Sequence, residues 1–343
     1  MIVYFRSAWN FQNKLRRAMD ARMPASSGRT VGPPDICTNL YRVFCSRKNV
    51  TKDPTGFVRR DTEGEIEALR IYEEVMHANP ELTSEQVDDE LVKRIYTDER
   101  RKFVEGAYRY ARVGIIKLID SQPKSILVEK EKRKLKSILR KTVLQLPPPA
   151  DVYGDEPDLL TKNDVYFERL KDGTRRLRVG GAFLLSVKSL FNMVFTIAHE
   201  LGHSIDPCEL LHEGMRPEAY DRLTACFRRE KILSGPGKRA ECSAGDQLPE
   251  LFADWVAVQV TAGLLKKYAT EFDKSQLLDA AINTVKDLCD EDENFKDVDF
   301  GSHPPPQIRI QSVFGTHPII RQVLGCAPSV QTHCGYGWRP FAR

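Results

Sequence analysis

Phe191-Asn-Met-Val-Phe-Thr-Ile-Ala-His-Glu-Leu-Gly-His203 is apolar at most of its positions. That composition predicts a helix buried within the protein, not an amphipathic helix lying on its surface. His199, Glu200 and His203 are then costly. An ionised carboxylate and two imidazoles are expensive to remove from water without a partner. A metal ion supplies one. Histidines four apart on a helix project from one face, a turn apart, so both rings can reach a single ion at roughly 2.0–2.1 Å. Glu200 adjoins the first of them and can reach the open side of the ion, where a water molecule would lie. The spacing is the HExxH pattern of zinc hydrolases.

A catalytic zinc takes three protein ligands and keeps one position open. The extended HExxHxxGxxH pattern fails here, because Ser204-Ile-Asp-Pro-Cys-Glu209 follows His203. His212 is nearby but matches no ligand spacing. Glu250 fits better. It lies in Leu248-Pro-Glu-Leu-Phe-Ala-Asp-Trp-Val-Ala-Val258, which reads as a second apolar helix opened by Pro249. Glu250 and Asp254 are one turn apart on a shared face. Glu250 is expected as the third ligand, with Asp254 accepting the free ring N–H of a ligand histidine. Asp206 follows the first helix, either orienting the other histidine or capping the next segment.

Outward from these two helices the chain is mixed. Residues 1–64 read as irregular, broken by Pro24, Gly28, Gly32-Pro-Pro34 and Pro54-Thr-Gly56. Helix is expected from about Glu65. Thr83-Ser-Glu-Gln86 reads as a capping box before an apolar-periodic run through Val92, Ile95, Phe103, Tyr108, Val113 and Ile116, ended by Pro123. Glu129–Lys141 reads as a basic helix with an apolar face of Leu135, Ile138 and Leu139, its charges solvated. Pro147-Pro-Pro149 sets the expected boundary between an N-terminal, mostly helical lobe (1–149) and a catalytic domain (150–343). Past it, Val165–Leu170 and Arg175–Val179 flank Asp172-Gly173 as a hairpin. From about Ser186 the chain reads as helical. The expected class is α+β, predominantly α.

Composition excludes some partners. Lys plus Arg (52) against Asp plus Glu (48) gives a net charge of +4, too weak and too evenly spread for a nucleic-acid surface. No stretch reads as the roughly 20-residue apolar span of a membrane helix. Met1–Arg6 lacks the apolar core of a secretory signal. The eight cysteines, an even number without a CxxC pair, read either as scattered buried thiols or as disulfides of an oxidising compartment. The sequon Asn49-Val-Thr51 is compatible with export.

Taken together, these residues resemble the neprilysin and endothelin-converting-enzyme family of zinc metallopeptidases, gluzincins with a zincin-type catalytic domain. That family carries HExxH with an Asp three residues on, then ExxAD, HxPxxxR, and a C-terminal cysteine and tryptophan. The counterparts are His199–Asp206, Glu250-Leu-Phe-Ala-Asp254, His303-Pro-Pro-Pro-Gln-Ile-Arg309, and the tail Gly325–Trp338 with its cysteines and tryptophan. The resemblance spans roughly residues 150–338 and implies one zinc ion per chain and a peptide or protein substrate. It makes Glu200 the general base and places Asp206 and Asp254 behind the ligands. His303 would stabilise the oxyanion, and Arg309 would bind a substrate carbonyl. The family's substrate-binding edge strand corresponds to Asn163-Asp-Val-Tyr-Phe167, with the asparagine one position out of step. The chain is about half the family's length, the reduction falling in the N-terminal helical lobe. The family's cysteines form disulfides, which implies a secreted or extracytoplasmic protein. The competing expectations are a catalytically silent zinc-binding protein on the same scaffold, and a zinc hydrolase with another third ligand.

Overall fold

The structure, a computed structural model, describes residues 33–45, 63–147, 159–186, 189–233, 242, 247–285, 287–289, 303–329 and 333–334. The glycosylation sequon, the N-terminal hexapeptide and Trp338 lie outside the described residues. Helices predominate among the described ones, with one three-stranded sheet, so the α+β, mostly helical expectation holds at that level.

Two compact units interleave along the chain. Of the described residues, one holds those within 63–109 and 142–186, and the other those within 33–45, 110–141 and 189–334. Pro148 and Pro149, at the expected boundary, lie outside the described residues, and backbone pairing joins segments on either side of them. Strand β1 (Val143–Gln145), just before the prolines, runs parallel to β3 (Arg175–Val179) well beyond them, and β2 (Val165–Arg169) pairs antiparallel on the other side. The hairpin expected from Asp172-Gly173 forms, with Gly173 at φ +85°, a left-handed conformation that only glycine adopts at little cost. Strand β1 was not anticipated, since three residues are too few for alternation to register.

The capping box at Thr83 forms. Its hydroxyl accepts from the Gln86 N–H, and the Gln86 side chain accepts from the Thr83 N–H. The apolar run behind it is two helices, Ser84–Ile95 and Asp98–Ser121, not one. The break at Tyr96 lets its phenol donate to the Val179 carbonyl at 2.6 Å. Val113, expected on the apolar face, is exposed.

In the second unit, helix Leu190–His203 packs along helix Leu248–Tyr268. Ser189 caps the first by accepting from the Phe191 N–H. Leu248–Tyr268, at 21 residues, is long and apolar enough to cross a bilayer by length and composition alone. Its most apolar window is 89% buried, and that burial accounts for the apolar composition of a core helix. The basic helix Glu129–Lys141 forms with the expected face. Lys132 departs from the solvated reading, being buried with its ammonium donating to the Asp120 and Gln122 carbonyls. All eight cysteines pair, as Cys37–Cys326, Cys45–Cys289, Cys208–Cys242 and Cys226–Cys334. Bonds of this kind form and persist in oxidising compartments.

The two apolar helices meet closely at Gly202. A Cβ there would sit 2.9 Å from the Ala253 Cα and 3.3 Å from its Cβ. Gly202 lies between His199 and His203 in sequence, and Ala253 lies between Glu250 and Asp254. Gly202→Ala must therefore spread the two helices at the level of their polar residues. The expected cost is about 1–3 kcal/mol in urea unfolding, as for overpacked cores, together with weaker metal retention in dialysis against zinc buffers.

Candidate metal centre

Eight side chains of the second unit come together here, from four places in its sequence. Helix Leu190–His203 brings His199, Glu200 and His203, and the turn after it brings Asp206. Helix Leu248–Tyr268 brings Glu250 and Asp254. The segment 303–314 brings His303 and Arg309.

His199, Glu200 and His203 offer ligand atoms all within 4.8 Å of one another, a group that could hold a metal ion. Glu250 makes a tighter triangle with the histidines. His199 Nε2 lies 3.2 Å from His203 Nε2 and 3.1 Å from Glu250 Oε2, and His203 Nε2 lies 3.5 Å from that same oxygen. The ligand atoms of a tetrahedral ion bound at roughly 2.0–2.1 Å sit about 3.3 Å apart. The triangle has that edge. Glu200 Oε1 stands farther off, 3.9 Å from His199 Nε2.

Each histidine is oriented from behind. His199 Nδ1 is 3.0 Å from Asp254 Oδ1, and His203 Nδ1 is 3.3 Å from Asp206 Oδ2. With Nδ1–H donating to a carboxylate, Nε2 of each ring carries its lone pair toward the triangle's centre. Asp206 has a second task. Its Oδ1 accepts from the Cys208 and Glu209 N–H groups, both at 2.7 Å, capping helix Pro207–His212. The orienting and capping readings are both realised, one on each oxygen.

Arg309, for which the resemblance implies contact with a substrate carbonyl, is buried against Asp254. Its guanidinium forks onto Asp254, Nε to Oδ2 at 2.6 Å and Nη2 to Oδ1 at 2.9 Å. Both side chains are almost wholly buried, 3% and 1% exposed. A buried carboxylate in an apolar helix needs a counter-charge, and Arg309 is that charge. Sequence signalled the need but not the partner. His303 Nε2 lies 3.1 Å from Glu250 Oε2, with its side chain 46% exposed. Asn163 belongs to the other unit, where its side-chain oxygen accepts from the Ser186 hydroxyl at 3.1 Å. His212 is exposed at the end of its short helix.

The charges respond to this packing. Burial disfavours the His199 cation, yet its hydrogen bonds to Asp254 and Glu250 outweigh that and raise its pKa to about 9. Burial opposes His203 ionisation as well, and Asp206 and Glu250 again prevail, holding it well above the usual imidazole range. Burial raises the Asp254 carboxyl, but Arg309 and His199 overcome it and bring the pKa to about 2. Glu250 is likewise held below its ordinary range by the three imidazoles, against the effect of burial. A metal ion needs its histidines neutral, so uptake at this centre displaces protons.

Truncating Asp254 tests the arrangement. Asp254→Ala leaves the Arg309 guanidinium and the His199 ring without their buried partner. The expected loss is about 3–5 kcal/mol of stability and about 10–100-fold in metal affinity, read by denaturant unfolding and competitive chelation. An effect near zero in both would remove Asp254 from the centre.

Compared with protein-family models, with curated proteins and with solved structures, the chain matches none.

Proposed function

We propose that the chain is a zinc-dependent peptidase, a neprilysin-like endopeptidase on a zincin-type scaffold, exported to an oxidising compartment. One observation carries the reading: a tetrahedral-edge triangle of His199, His203 and Glu250, with the Glu200 carboxylate held just outside it. Two imidazoles and a carboxylate are a donor set that zinc favours over magnesium or calcium. The order of the four motifs supports the family reading, and the four disulfides support export.

A zinc ion held by these three residues would supply Lewis acidity toward the attacking water and the scissile carbonyl. The chain's own groups do the rest. Glu200, adjacent to the ligands but not among them, takes the proton of the attacking water and passes it to the leaving amine. His303, half exposed beside Glu250, donates to the oxygen of the tetrahedral intermediate. Asp206 and Asp254 keep the ligand rings in one tautomer, and Arg309 keeps Asp254 charged.

A second reading draws on the same His303 contact. Its Nε2 is as near Glu250 Oε2 as His199 is, so His303 would complete a closed four-ligand site. Closed sites are structural, and the chain would then be a catalytically silent zinc-binding protein. His303→Ala separates the two readings. The peptidase keeps its zinc and loses turnover; the structural protein loses affinity for zinc.

The direct test is cleavage of a quenched-peptide library by purified protein, with chelator and stoichiometric zinc add-back. Activity lost on chelation and restored by zinc is expected. Zinc-loaded protein that cleaves nothing would sink the peptidase reading.

A further inference from the structure

We propose that Arg178 and Tyr166 form a binding site for a small carboxylate anion on the three-stranded sheet of the first unit. The site lies within that unit and does not depend on the metal centre.

Arg178 lies on the central strand, β3, and is 5% exposed. Its Nε is buried without a hydrogen-bond partner. A buried donor left without a partner is costly, because it has given up its hydrogen bond to water. The other buried arginine on this face shows the usual solution. Arg176 pairs with Glu168 on β2 and donates to Gln145 Oε1 on β1 at 2.8 Å.

The cross-strand neighbours of Arg178 sharpen the contrast. Register places Tyr166 of β2 and Gln145 of β1 beside it, and directly paired residues share a face of the sheet with Cβ atoms about 4.5–5.5 Å apart. The Tyr166 hydroxyl is also buried without a partner. Two orphaned donors, the Arg178 Nε–H and a phenol, therefore sit side by side on one face. The nearest described carboxylate in the ladder, Glu168, is committed to Arg176. The Lys162 ammonium lies 4.2 Å over the Tyr166 ring, adding positive charge. Gln145, Lys162, Tyr166 and Glu168, around the two donors, are only partly buried.

The chemistry of the missing partner follows. A guanidinium edge presents two parallel N–H donors that match the two oxygens of a carboxylate, and a phenol adds a third donor from the side. Free carboxylic acids and the carboxylate of a peptide share this group. An inorganic tetrahedral anion does not share its planarity.

The test uses the full chain at pH 7 and constant ionic strength, titrated separately with acetate, an acetyl-capped dipeptide acid, its C-terminal amide, inorganic phosphate and chloride. In wild type, acetate or the dipeptide acid should raise the melting temperature by about 5 °C at a hundredfold excess over its dissociation constant. One arginine Nε–H resonance should shift in arginine-labelled protein over the same range. The amide and chloride should do neither. Arg178→Met should abolish the response and melt higher than wild type in chloride, because it removes a buried unpaired donor. Tyr166→Phe, which keeps the ring, should weaken the response at least threefold. A response to phosphate alone overturns the carboxylate assignment. Equal responses in wild type and Arg178→Met, or none in wild type, overturn the site.

Discussion

Glu200→Gln should leave the zinc content of the protein unchanged and lower peptide hydrolysis by about 10²–10⁴-fold. The substitution preserves shape and hydrogen-bonding capacity while removing the ability to accept a proton. Metal content should survive because Glu200 stands outside the triangle, 3.9 Å from the nearest ligand nitrogen, where the triangle's own edges are 3.1, 3.2 and 3.5 Å. Stability should survive too, since Glu200 retains its buried volume and is not a capping residue. Metal analysis by mass spectrometry and turnover of a quenched peptide give the two readouts. Turnover within threefold of wild type would remove Glu200 as the base. Loss of zinc alongside activity would instead make it a ligand.

How much of this centre could be read from residues alone depends on the range of the interaction. His199 and His203 were legible because a helix fixes their spacing and an apolar run fixes their burial. Glu250 and Asp254 were legible for the same two reasons on a second helix, and the structure brings both pairs together. Arg309 was found as a residue but not as a partner. Nothing local in His303-Pro-Pro-Pro-Gln-Ile-Arg309 indicates that its guanidinium will be buried against a carboxylate 55 positions earlier. Gly202 was passed over as a filler of the motif, although its missing side chain lets the two helices meet at Ala253. The sheet divided similarly. The Asp172-Gly173 turn announced β2 and β3, whereas β1 depends on pairing with a strand about 30 residues away and left no local signal. Prolines mark where a chain stops being regular, while units are decided by which distant segments pair.

Glu250→Ala should reduce zinc affinity by more than about a hundredfold, since deleting a ligand costs more than deleting the partner that orients one. The carboxylate is expected to matter twice. It completes the triangle, and its negative charge helps neutralise the ion in a buried setting where uncompensated charge is expensive. It also contacts three rings at once, with Oε2 at 3.1 Å from His199, 3.5 Å from His203 and 3.1 Å from His303. The variant should therefore lose zinc on dialysis at concentrations that leave wild type loaded, and lose hydrolysis in proportion. Glu250→Asp shortens the reach by one methylene but keeps the charge, and should recover part of the affinity. That recovery distinguishes ligation from a purely structural contribution, which a smaller residue would not restore. Glu250→Ala with wild-type zinc content would move the third ligand elsewhere, and His303 would be the first residue to substitute next. Retained zinc with lost activity would mean that Glu250 serves the reaction through His303, the one contact of the three that faces solvent.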